Sequence, residues 1–247
     1  MAGTPALRDV AVEGQAVRLP VVVRDATSLF ATFLVPSAPA RRLFPQSTIE
    51  LAEVFPGRAL LSLAAIEYRD NDLGRYLEMA VAFPVRLANG RRPWPLVGMA
   101  LDFRAGRGGV YIHRLPVTTA FSCEAGRGIW GFPKTVERIA FEDVGGRRRH
   151  GLAMDGRDVL TLTTARGGER RLPDMEMVTY SWIAGRLHRT RFVSGATGVG
   201  IRLGGAELVL GDHPLAGELR RLGLPARPLM TVWMEHSHGR FDAPEPA

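Results

Sequence analysis

The feature that most limits what this chain can fold into is a long series of short β-branched or apolar runs separated by glycine-bearing turns. Runs at Val17–Arg24, Ser28–Val35, Ala59–Tyr68, Tyr76–Val85 and Gly109–Leu115 read as strands, as do Ile139–Val144, His150–Met154 and Val159–Thr164. Met175–Ile183, Arg186–Val193, Val199–Leu203, Glu207–Leu210 and Leu229–Glu235 continue the series. Asp155-Gly156 marks a two-residue hairpin turn, because both positions tolerate positive φ. Helical signals are few: a short helix over Pro36–Phe44 with Ser37 as cap, one over Thr118–Ala125 closed by Gly126, and one over Asp212–Leu222 capped by Asp212. Pro95–Phe103 fits either state. Strands do not alternate with crossover helices, so the chain is expected to be α+β and mostly antiparallel β.

No internal repeat or linker divides the 247 residues, which therefore predict one domain over 1–247, with 1–14 a loose arm and 242–247 a loose polar tail. The single cysteine, Cys123, excludes an intramolecular disulfide framework and fits a reducing compartment. Met1–Gly14 lacks the apolar core of a secretory leader, and no apolar run approaches the ~20 residues of a membrane span. A cytoplasmic protein with no membrane partner is expected.

The net charge of +7 invites a nucleic-acid reading. The arginines are scattered, however, and the densest cluster, Arg147-Arg148-Arg149-His150, follows Gly145-Gly146 as at a solvated hairpin tip. No basic stripe interleaved with aromatics is present, so no nucleic-acid partner is expected.

Within this arginine-rich chain one position stands out. All but one of the 32 Lys and Arg residues are arginine, and the exception, Lys134, ends the run Gly126-Arg127-Gly128-Ile129-Trp130-Gly131-Phe132-Pro133-Lys134. Arginine cannot form an imine, whereas a desolvated lysine can lose its proton and attack a carbonyl. Ile129, Trp130, Phe132 and Pro133 would supply apolar surroundings.

This run resembles the lysine motif of the acetoacetate decarboxylase superfamily, in which a glycine-arginine pair precedes an aromatic-proline-lysine triplet. The resemblance runs without a gap from Tyr111 to Lys134. It extends upstream to Leu73-Gly74-Arg75-Tyr76-Leu77-Glu78 and Phe83-Pro84-Val85, and downstream to the Asp-His-Pro helix entry within Leu208–Leu222. In order, though not in dense identity, it covers Leu29 to Pro244. It implies the family's fold, a β-cone or double-sheet barrel with a few short helices. It also implies a homo-oligomer, no cofactor and no metal.

Residue by residue, Lys134 matches the lysine that condenses with a ketone, and Glu78 matches a pocket carboxylate that handles protons or orients substrate. Phe132 matches the aromatic beside the lysine. Trp130, Arg127, Tyr76, His113 and Leu115 fall within matched segments and are candidates for contacting substrate. In that family the lysine is activated by desolvation or by a neighbouring cation. Three positions depart from the decarboxylase. Thr135 stands where a second lysine would follow, a second pocket glutamate falls at about Leu63, and the carboxylate-binding arginine falls near Ala26, two residues from Arg24. The resemblance therefore implies a Schiff-base lyase acting on a small carbonyl compound. Aldol condensation, dehydration or retro-aldol chemistry is favoured over decarboxylation of a β-keto acid, and a non-covalent binding protein on the same fold is a third reading.

The stretch Glu235-His236-Ser237-His238 carries two histidines that a strand would place on one face, but no third ligand has matching spacing. Strand alternation instead makes Trp233 and Glu235 candidates for contacting substrate. Gly195–Gly205 has a G-x-x-G-x-G spacing but leads into a strand, which leaves turn and bulge glycines as its reading. Cys123 reads as a small core residue.

Overall fold

A computed structural model of the chain describes residues 8–44, 48–88 and 108–247. In chain order these contain β1 (Arg8–Val12), β2 (Gln15–Leu19), β3 (Val21–Pro36), α1 (Ser37–Arg41), β4 (Ile49–Leu51), β5 (Glu53–Phe55), β6 (Arg58–Asn71) and β7 (Tyr76–Leu87). Then come β8 (Gly108–Val117), α2 (Ala120–Trp130), β9 (Lys134–Val136), β10 (Arg138–Val144), β11 (Arg147–Met154) and β12 (Arg157–Ala165). The chain continues with β13 (Arg170–Ile183), β14 (Arg186–Leu203), β15 (Ala206–Leu210), α3 (Pro214–Arg221), β16 (Met230–Phe241) and β17 (Glu245–Pro246). Asn89-Gly90 and Pro95–Phe103 lie outside the described residues.

Seven long strands form a closed barrel in the order β7-β6-β3-β16-β14-β13-β8, completed by pairing of β7 with β8. Its pairs are antiparallel except β13 with β8. Where β8 leaves β13, the short β9 takes over its free edge in parallel. A separate sheet, β10-β11-β12-β15, covers one face of the barrel.

Two cores follow from strand alternation. Along β3, Leu29, Ala31, Phe33 and Val35 are fully buried, while Phe30, Thr32 and Leu34 between them are half-buried. The first set packs with Leu63, Met79 and Val81 against Leu152, Leu160 and Leu215 of the second layer. A four-stranded sheet cannot enter a seven-stranded barrel, so this is the outer face, and the intervening residues line the lumen. The second core closes one end of the lumen. There Val12, Val17 and Leu19 of the β1–β2 hairpin, with Ala125 and Ile129 of α2, pack on Tyr68, Tyr76, Leu115 and Val117.

Several elements differ from expectation. Residues 8–14, read as a loose arm, form half of the β1–β2 hairpin; positive φ at Glu13 and Gly14 makes the tight turn, and apolar burial holds it down. In the polar tail, β17 pairs with β14. The strand expected over Val17–Arg24 breaks at Pro20, which has no N–H to donate. α2 runs through Gly126 to Trp130 and ends instead at Gly131, with φ 65°. α3 is capped by His213, whose Nδ1 accepts from Leu215 N at 3.1 Å, one residue beyond the expected Asp212. α1 likewise begins after Pro36, with Ser37 its first helical residue. The two strands expected over Arg186–Val193 and Val199–Leu203 are one, β14, bulged at Gly198, with φ 65°.

Asp155-Gly156 makes the expected turn, both residues having positive φ. The arginine cluster is a strand rather than a solvated tip: Arg148 reaches Glu67 on β6 at 2.8 Å and Asp143 at 3.1 Å, and His150 is buried.

Candidate active site

Lys134 owes its position to the end of α2. Gly131 turns the chain in the left-handed region, where a Cβ would also collide with the Trp182 carbonyl. The Phe132 N–H then donates back to the Gly126 carbonyl at 3.0 Å, and Pro133 stiffens the next step into β9. Lys134 pairs with Leu115 of β8, and its side chain points into the closed end of the lumen across the helix backbone at Gly126.

Glu78 reaches the same place from β7. Its Oε2 lies 2.8 Å from Lys134 Nζ, and the two side chains are only 7% and 5% exposed. Tyr68 of β6 donates its hydroxyl to Glu78 Oε1 at 3.2 Å. Tyr76 stacks on Tyr68 with ring centroids 4.4 Å apart, and its own ring lies 5.0 Å from the lysine amine. Burial, and secondarily the Glu78 charge, pushes both phenols well above the ordinary tyrosine range, so each stays a neutral hydroxyl. The site is thus an amine and a carboxylate in contact, sealed by two aromatic rings.

A buried ion pair is weak evidence of stabilisation, since desolvating two charges offsets much of their attraction. The arrangement is better suited to chemistry. A carboxylate touching an amine can take its proton, and it can return that proton to an oxygen on whatever carbon the amine attacks.

The other expected site residues divide. Tyr76 and Leu115 share the lumen end with Lys134. Trp130 is buried and stacks on Phe132 at 5.9 Å, while its indole N–H donates to the Asp242 carbonyl at 2.9 Å. Phe132 also borders a cleft of about 110 Å³ shared with Tyr111, Ile112, Pro133, Tyr180 and Trp182. Arg127 lies exposed on α2, 4.0 Å from Glu124, and does not face the amine.

His113 is on the outer side of β8, packed near Phe83 and Tyr111, with Nε2 2.6 Å from Glu218 of α3. Trp233 and Glu235 are also on the outer face. Trp233 pairs through Leu29 and Ala65 to Met79, all in the outer core, and its indole N–H donates to Glu235 at 2.8 Å. Alternation correctly groups these two residues, but register turns them away from Lys134. His236 bonds Asp25 at 3.1 Å and His238 bonds Asp174 at 2.9 Å, so each is engaged by a different carboxylate. Cys123 is buried against α2's core face.

Two residues of the site escaped the sequence reading. Tyr68 is directly opposite Tyr76 in the β6–β7 pair, so the register of that hairpin would have found it. Gly126, expected as a helix stop, instead leaves room for the lysine.

The departures from the decarboxylase pattern also take physical form. Thr135 is exposed. Leu63 faces the outer core, and its lumen-facing neighbours are Ser62 and Ala64, which cannot ionise. Arg24 is exposed and held by Asp70 at 2.8 Å and Asp72 at 2.6 Å.

Comparison with known proteins agrees with this architecture. No curated protein matches the chain. Among solved structures, an acetoacetate decarboxylase from Legionella pneumophila subsp. pneumophila str. Philadelphia 1 superposes with a TM-score of 0.65 at 16% identity, covering 92% of this chain and 87% of that one. An acetoacetate decarboxylase-like enzyme from Sphingomonas wittichii RW1 gives 0.59 at 18% identity, covering 99% and 100%. The enduracididine biosynthesis enzyme MppR, complexed with pyruvate, gives 0.60 at 16% identity, covering 92% and 90%. At these identities the likeness is one of fold. The family model for acetoacetate decarboxylase matches residues 10–239, and the chain therefore belongs to the acetoacetate decarboxylase family.

Proposed function

We propose that this protein is a Schiff-base-forming lyase that binds a carbonyl substrate covalently on Lys134. The observation that carries this reading is the 2.8 Å contact between Lys134 Nζ and Glu78 Oε2 in a nearly sealed site. Glu78 takes the ammonium proton, and the freed amine adds to the substrate carbonyl. The carbonyl oxygen then leaves as water, protonated in turn by Glu78. The resulting iminium withdraws electrons from the neighbouring carbon. A carbanion there is stabilised whether it arises by loss of a proton or of CO2.

Aldol-type condensation, dehydration or retro-aldol chemistry is the favoured outcome, with Glu78 removing and returning the α-proton. Support comes from four residues. Ser62 and Ala64 provide no second lumen carboxylate, Arg24 is committed to Asp70 and Asp72, and Thr135 brings no second amine. MppR, of the same fold, is described with a condensation product of pyruvate and imidazole 4-carboxaldehyde. Decarboxylation of a larger β-keto acid is the second reading, favoured by the family itself.

The test is to incubate the protein with pyruvate, acetoacetate or a β-diketone, reduce with borohydride, and map the adduct by mass. Labelling at Lys134 is expected. No adduct with any carbonyl compound would favour a non-covalent binding protein instead. Where an adduct forms, CO2 release measured against appearance of a conjugated enone separates the two chemistries.

A further inference from the structure

We propose that the substrate is a ketone carrying an extended apolar chain, which lies along the barrel lumen above Lys134. This rests on the imine reading and adds a substrate class to it. The lumen is closed at the lysine end by α2 and the β1–β2 hairpin, so substrate must arrive from the other end. Above Glu78 the inward positions of β7 are Ala80 and Ala82, and Ala80 pairs across with Ala64. Small side chains at two successive levels, Ala80 with Ala64 and Ala82 with Ser62, leave space where a barrel of this size would ordinarily be filled.

Among the inward residues Ser28, Thr32 and Ser62 are polar but uncharged, and several of the apolar ones are incompletely covered. Ile66, Phe30, Val232 and Met234 are each half-buried, although they face the interior of a closed barrel. At the far rim Met230 is 37% and Leu203 84% exposed. The levels of Glu78, Ala80 and Ala82 follow the register from β7 through β6, β3 and β16 to β14. Among these described residues the only ionisable side chain is Glu78. The run from Glu78 to Ala82 spans about 13 Å along the strand. A carbonyl at Lys134 would therefore trail its substituent through an uncharged, largely apolar passage. A short keto acid would bring a carboxylate into that passage, where these three levels of the five strands offer it no cation.

The experiment is borohydride trapping with acetone and with methyl ketones carrying hexyl and nonyl chains, reading the ketone concentration that half-labels Lys134. Each methylene that enters the lumen should lower this concentration by up to about fourfold, until the chain reaches the rim. Ala80→Phe should raise the value for the nonyl ketone far more than that for acetone. Leu203→Asp changes only an exposed rim position, so folding is not at issue, and it should weaken the nonyl ketone selectively. Equal half-labelling concentrations for acetone and the nonyl ketone would overturn the lumen proposal while leaving the imine on Lys134 intact. Absence of labelling by every ketone would overturn the imine reading, and the substrate class with it.

Discussion

The side chain of Lys134 crosses the backbone of Gly126 so closely that a Cβ on the glycine would stand 2.7 Å from Lys134 Cε. Glycine inside a helix costs up to about 1 kcal/mol relative to alanine, and α2 accepts that cost where the Lys134 side chain must pass. The glycine and the lysine therefore act as one fitted unit, although eight positions separate them in the chain.

Gly126→Ala tests that unit. Helix propensity favours the change, so a helix under no other constraint would gain stability. The added methyl instead displaces the amine from Glu78, and borohydride trapping on Lys134 is expected to slow at least about tenfold. Trapping kinetics alongside thermal unfolding would separate a repositioned amine from a damaged fold.

Breaking the buried pair from one side strands a charge. Lys134→Met leaves the Glu78 carboxylate unpaired and is expected to destabilise the protein by about 3–5 kcal/mol. The double change Lys134→Met with Glu78→Gln removes both charges and should recover most of that loss. Urea unfolding of the two singles and the double measures the coupling between them.

Glu78→Gln keeps the shape but cannot take a proton. Imine formation on Lys134 is expected to slow, and turnover to fall by roughly 10²–10⁴, because the proton carrier for both is gone. Comparing single-turnover adduct formation with steady-state turnover distinguishes this from loss of binding.

Tyr68→Phe removes the hydroxyl that donates to Glu78 Oε1. A hydrogen bond to a charged group contributes about 1.5–3 kcal/mol, so the carboxylate loses orientation. The expected readout is a several-fold fall in the rate of borohydride trapping on Lys134. A stability loss with unchanged trapping would mean that Tyr68 only packs.

The acid side of the stability curve should show two steps. His150 is buried, and this lowers its pKa from 6.5 to about 4. Between those values the unfolded chain binds a proton that the folded chain refuses, so stability rises with pH and is lost on acidification through that window, by about 3 kcal/mol. Asp25 is held down to about 2 from 3.8, chiefly by its hydrogen bond from Arg69. Its stabilisation is present at neutral pH and is lost only as pH falls further through that second interval. Urea midpoints measured through both intervals should resolve the steps, with His150→Asn removing the first.

Much of this was readable in the residues because period-two alternation and turn chemistry are local signals. Asp155-Gly156 and the strand series show that, and the lone lysine was visible as an anomaly of composition. What remained hidden depended on distant partners. Alternation put Trp233 and Glu235 on a common face but could not say which side of a barrel that face would meet. Gly126 looked like a helix end because the reason to keep glycine inside the helix is a side chain arriving from β9. His113 sits in the matched segment yet meets Glu218, more than a hundred positions away.

The barrel is closed by β16, which fits between the first long strand, β3, and β14. During synthesis the chain must therefore hold two open sheet edges until β16 has emerged. No N-terminal fragment can assemble a lumen, and a chain truncated before Met230 would present β3 and β14 as unpaired templates for other chains. The order of the strands makes the lumen wait for the last of its seven strands.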